Sequence, residues 1–176
     1  MSDEPFEQML TGGHPNSLGR TEEVVDLVLA DRARLAELFG CYASTDEVVR
    51  LRVSSAMKRV ATAHPDWVVA FMDRLQDEVA AIDQASTQWT LALLFDLTRD
   101  LLDDRQRARA VEIMQGNLAT HHDWIVLNTT MQVLGRWSDD DEDLRRWLEP
   151  HARRLAGDPR RSVAANARRL EERLAR

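Results

Sequence analysis

Asp46-Glu47-Val48-Val49-Arg50-Leu51-Arg52-Val53-Ser54-Ser55-Ala56-Met57, followed by Val60, sets apolar residues at intervals of four, three and four from Val49. Positions spaced this way fall on one stripe of an α-helix. Asp46, just ahead of the apolar run, is a residue type that caps helix N-termini. The same register returns three more times. With Val49, Thr87, Val126 and Val163 as position zero, the spacings are 38, 39 and 37 residues. Position plus four is Val53, Leu91, Thr130 and Ala167; plus seven is Ala56, Leu94, Val133 and Leu170; plus eleven is Val60, Thr98, Trp137 and Leu174. A mostly apolar stripe that survives four cycles at nearly constant spacing is a structural repeat.

A helix pair of about 38 residues cannot bury both of its faces alone, so neighbouring pairs must stack. The pattern predicts an all-α chain, a right-handed α–α superhelix of about four antiparallel helix pairs. The helices carrying the register are the second of each pair. The first helices are read from Val24, Val25, Leu27 and Val28, from Trp67, Phe71, Met72 and Leu75, from Val111, Met114 and Leu118, and from Leu144, Trp147, Leu148 and Leu155. Helix starts are expected at Asp66, Ser138, and Asp158 with Pro159.

Asp46-Glu47-Val48-Val49-Arg50 followed by Ala56 resembles the second-helix pattern of HEAT repeats, in the armadillo-like superhelix class. In that pattern an Asp caps the helix, a Val packs inward, and the next Arg joins a polar ladder between repeats. Asp123 with Val126 resembles the same motif, with Leu127 in place of the Arg; Thr87-Gln88 and Val163-Ala164 also lack it, which interrupts the ladder. The resemblance covers roughly residues 30–175 and is to bacterial HEAT-domain proteins of unassigned role. It implies a scaffold that holds another macromolecule.

Composition agrees with a helical globular chain. Of 176 residues, 44% are hydrophobic and 30% charged, with only seven glycines and five prolines to make turns. Three of those glycines and one proline fall in residues 11–19. Residues 1–20 are therefore expected to be a mobile N-terminal segment, and 21–176 a single repeat domain. Lys58 is the single lysine beside 22 arginines, which points to a GC-rich bacterial genome. Cys41, alone, excludes an intramolecular disulfide and a cysteine-based zinc site. Met1 to Leu10 has no basic region followed by an apolar run, and no stretch approaches a membrane span, so a cytoplasmic protein is expected.

No phosphate-binding loop, nucleophile elbow or zinc-protease motif is present, and no catalytic, cofactor-binding or metal-ligating residues are assigned. His121-His122-Asp123 reads as a turn with Asp123 as helix cap, because a metal needs three or more convergent ligands. The acidic run Asp139 to Asp143 reads as a solvated helix start. Two surfaces remain. The flank of the repeat stripe carries Arg52, Trp89, Thr90, Asp96, Asn128 and Gln132, the expected floor of a partner-binding groove lined by the second helices. Residues 145–176 hold ten arginines against four acids, in a chain of net charge −7. Arg153, Arg154, Arg160, Arg161, Arg168 and Arg169 are the candidate basic patch there. The expected function is a non-enzymatic scaffold recognising a protein partner through the groove. The alternative is nucleic-acid binding or DNA repair through the arginine-rich end, as in HEAT-like DNA glycosylases.

Overall fold

A computed structural model describes residues 4–176. Among the described residues all regular structure is helical, with eleven α-helices and no strand. No described helix is long and apolar enough to cross a membrane. The chain divides into two compact units, Met1–Asp103 and Asp104–Arg176. The boundary falls between the second and third of the four helices that carry the register, where the sequence suggested a single domain over 21–176.

In the first unit, α1 (Phe6–Leu10), α2 (Thr21–Ala30) and α3 (Leu35–Gly40) pack with α4 (Glu47–Ala63). Then come α5 (Pro65–Val69), α6 (Met72–Arg74) with its π-helical continuation Leu75–Val79, and α7 (Ala85–Thr98), which lies against α4. In the second unit, α8 (Asp104–Thr120) turns through three residues into α9 (Trp124–Trp137). Then α10 (Glu142–Ala156) turns into α11 (Arg161–Leu174), and α11 packs on both α10 and α9. The repeat helices are thus α4, α7, α9 and α11, and they contact one another pairwise within each unit.

The register is kept by burial. All sixteen residues at positions zero, four, seven and eleven are buried, the most open being Leu174 at 8% exposure. Thr87, Thr98 and Thr130 sit on the stripe among these apolar neighbours. Thr98 satisfies its hydroxyl by donating to the Leu94 carbonyl at 2.8 Å, whereas Thr87 Oγ1 and Thr130 Oγ1 lack a partner.

Capping separates the correct helix starts from the displaced ones. Asp46 Oδ1 accepts from Val48 N–H, and Asp123 Oδ1 accepts from the Ile125 and Val126 N–H groups, as the sequence suggests. α5 instead begins at Pro65, which leaves Asp66 inside its first turn. Ser138 opens a 3-10 turn, and Asp141 caps α10 by accepting from Leu144 N–H. Asp158 accepts from Arg160 N–H in a turn that precedes α11.

The N-terminal segment differs most from expectation. Phe6, Met9 and Leu10 are buried in the first unit, and α1 contacts α2, α3 and α4. Phe6 N–H donates to Glu37 Oε1 at 2.8 Å, and the Arg34 guanidinium lies 3.9 Å from the centre of the Phe6 ring. A short apolar triplet too brief to register as a helix period is enough to dock the segment. Residues 1–3 of the segment lie outside the described residues.

Candidate functional site

Arg52 lies one helical step from Val53 on α4, and that step turns it inward: it is 1% exposed. Its guanidinium is enclosed by the protein's own N-terminal loop. Nε donates to the Ser17 carbonyl at 3.0 Å, Nη1 to the Leu10 and Gly12 carbonyls at 2.6 Å each, and Nη2 to the His14 carbonyl at 3.3 Å. Four carbonyl dipoles thus stand around one buried cation, and charge-assisted bonds of this kind are the strong ones. Two glycines let the loop close round it. Gly13 and Gly19 adopt φ of +75° and +52°, and a Cβ on Gly19 would lie 3.0 Å from Arg52 Cζ. Arg52 is therefore a structural anchor and not a partner-binding residue.

The other flank residues separate as well. Thr90 faces the core of the first unit at 1% exposure, its Oγ1 without a partner. Trp89 and Asp96, seven residues apart, share an edge of α7 with Leu93, and all three are half-buried. In the second unit Asn128 is buried, with Oδ1 enclosed and unpartnered, so it too is withdrawn from any surface. Gln132 is exposed and lines an open groove.

That groove, about 290 Å³, runs between α9 and α11. α9 supplies Gln132 and Arg136 at the rim and buried Met131 and Gly135 at the floor. α11 supplies Asn166, Arg169 and Arg173 at the rim and Leu170 at the floor. Gly135 sets the spacing of the helices: a Cβ there would come within 2.9 Å of Leu170 Cδ1. The rim is basic. Arg169 Nη1 donates to Asn166 Oδ1 at 3.1 Å, one turn back on α11. Arg173 uses Nε and Nη2 in a bidentate pair with Asp139, at the end of α9. Arg169 belongs to the C-terminal patch expected from the sequence and Arg173 to the same arginine-rich end, whereas Arg136 lies outside both. Arg136 shares position plus ten in the repeat register with Arg173, the signal that would have found it.

The six arginines expected as one patch are distributed over separate roles. Arg154 Nη2 donates to the Leu118 carbonyl at 3.0 Å, tying α10 to α8. Arg160 forks onto Asp158 and also donates to the His122 carbonyl, joining the two inter-helix turns of the second unit. That guanidinium holds the Asp158 carboxyl well below its ordinary range, at about 2. Arg161 and Arg168 lie seven residues apart on an exposed edge of α11, and Arg153 stands beside Glu149 and Glu171 in a shallow pocket. Arg169 alone joins the α9–α11 groove.

Other polar candidates have local explanations. His121 Nδ1 accepts from Asp123 N–H, within the turn that Asp123 caps. No group of three or more metal-ligating side chains occurs among the described residues. Burial pushes the Cys41 thiol up to about 11, and it donates to the Glu37 carbonyl, so thiolate chemistry is disfavoured. No protein-family profile matches this chain, and no curated protein matches it.

Proposed function

We propose that this chain is a HEAT-like repeat protein, an α–α solenoid, that works as a binding module for another protein and performs no catalysis of its own. The face of the second helices carries the contact. The observation that supports this most is the open groove between α9 and α11, which has an apolar floor and a polar rim. Concave sites with that arrangement orient a ligand by a few polar groups while burying its apolar surface. The repeat assignment is supported by sixteen equivalent positions, all buried. Nucleic-acid binding through the C-terminal arginines has less support, because Arg154 and Arg160 are committed to internal contacts.

A photo-crosslinking side chain at Gln132, compared with one at exposed Glu112 on α8, tests the reading in cells expressing the full chain. A protein adduct formed at position 132 and not at 112 is expected. Equal labelling at both positions, or no protein adduct at 132, overturns it.

A further inference from the structure

We propose that the α9–α11 groove takes a short extended peptide in which acidic side chains flank an apolar one. This rests on the reading of the second-helix face as a protein-binding surface and adds the chemistry of its occupant. The charge comes first: three guanidinium groups line the groove, of which Arg173 is already paired with Asp139. Arg169 is the best placed of them. Its bond to Asn166 uses Nη1 and leaves the Nε–Nη2 edge, the fork that matches a carboxylate in bidentate geometry. Asn166 acts as a positioning residue by holding that fork in one orientation. Arg173 keeps Nη1 beyond its pair with Asp139.

Size and floor then select a peptide. Asn166 and Arg173 lie seven residues apart on the helix, about 10 Å, which an extended chain spans in about three residues. Met131, Gly135 and Leu170 form an apolar floor, with Leu170 packed closely over Gly135. A middle apolar side chain reaches that floor while its neighbours' carboxylates stay level with the guanidinium rim. A nucleic acid fits less well. Backbone binding uses a long track of phosphate contacts, and no aromatic side chain lines the groove for stacking.

The test measures anisotropy of a fluorescein-labelled Asp-Glu-Leu-Glu-Asp peptide with the full chain at low salt. Its Asn-Gln-Leu-Gln-Asn counterpart and a short mixed-sequence single-stranded DNA serve as comparisons. Arg169→Gln is expected to weaken the acidic peptide about tenfold, and Arg169→Lys by less, because the charge stays and the fork is lost. Arg168→Gln removes the same charge from the neighbouring exposed edge and is expected to change affinity less than about twofold. Equal loss from Arg168→Gln and Arg169→Gln, or equal binding of the amide peptide, overturns the proposal. DNA that binds more tightly than the peptide and is released by Arg169→Gln overturns it in favour of a nucleic acid. A protein adduct at position 132 without acidic-peptide binding removes this proposal and leaves the protein-binding reading standing. Absence of both removes both.

Discussion

Replacing Arg52 by Met keeps most of the buried stem and removes the guanidinium, so it isolates the carbonyl cage. Four hydrogen bonds are lost, to Leu10, Gly12, His14 and Ser17. Bonds to a charged group contribute about 1.5–3 kcal/mol each, but burying the cation costs several kcal/mol, so the net is far below their sum. The Leu10 bond is buried, whereas the other three are partly open and their carbonyls can turn to water. We therefore expect Arg52→Met to destabilise the chain by about 2–4 kcal/mol, with the largest loss of amide protection in residues 10–19. Gly19→Ala supplies the coupled test. In the parent it places a Cβ against Arg52 Cζ at a φ of +52°, adding a steric cost to the roughly 1 kcal/mol of a left-handed alanine. In the Arg52→Ala background only the backbone part remains, so the cycle should show a coupling of about 1 kcal/mol. Urea unfolding with hydrogen exchange reads both. A loss under about 0.5 kcal/mol from Arg52→Met, with unchanged protection of the loop, would refute the cage as an anchor.

Three further expectations rest on separate contacts. Asp123→Ala removes the acceptor for the Ile125 and Val126 N–H groups and should cost about 1 kcal/mol in urea unfolding. Asp158 has its carboxyl lowered to about 2 by Arg160, so its stabilising contribution is present above the ordinary carboxylate range and lost as pH falls from about 4 towards 2. The stability difference between parent and Asp158→Asn should accordingly stay constant from pH 7 to about pH 5 and shrink on acidification below that; a difference that persists at pH 2 contradicts it. Gly135→Leu fills the α9–α11 groove and presses on Leu170, which should cost about 1–3 kcal/mol and abolish labelling of a partner from position 132.

The parts of the fold governed by a period were readable from the sequence. Val49, Thr87, Val126 and Val163 recur at spacings of 38, 39 and 37 residues, and all four are buried. Helix starts were readable where one Asp precedes a clear apolar run, as at Asp46 and Asp123. They were displaced where several capping residues compete, as between Ser138 and Asp141. The N-terminal segment was not readable, because Phe6, Met9 and Leu10 make only a single turn of helical spacing, too short to stand out beside the glycine-rich run that follows. The loop that follows gains its order from a side chain 35 to 42 residues away. The site was half legible. A flank defined only as adjacent to the stripe mixes residues that turn inward, such as Arg52, Thr90 and Asn128, with one that turns outward, Gln132.

The register makes that separation systematic. Position plus three is Arg52, Thr90, Thr129 and Asn166; plus six is Ser55, Leu93, Gln132 and Arg169; plus ten is Arg59, Leu97, Arg136 and Arg173. The stripe positions hold only apolar residues and threonine, whereas these neighbours range from leucine to arginine. Arg59 and Arg173 hold the same slot and each reaches an acid on another element of its own unit, Glu22 and Asp139 respectively. At plus three the slot holds the loop anchor in α4 and, in α11, the amide that orients Arg169. At plus six the residue is half-buried in α4 and α7 and exposed in α9 and α11. A buried stripe with variable flanks lets one helix pattern serve as an internal clamp in α4 and as an open rim in α11. Swapping Ser55 and Arg169 between their equivalent slots would therefore move charge without disturbing the stripe, and only the change at 169 should alter capture of an acidic peptide.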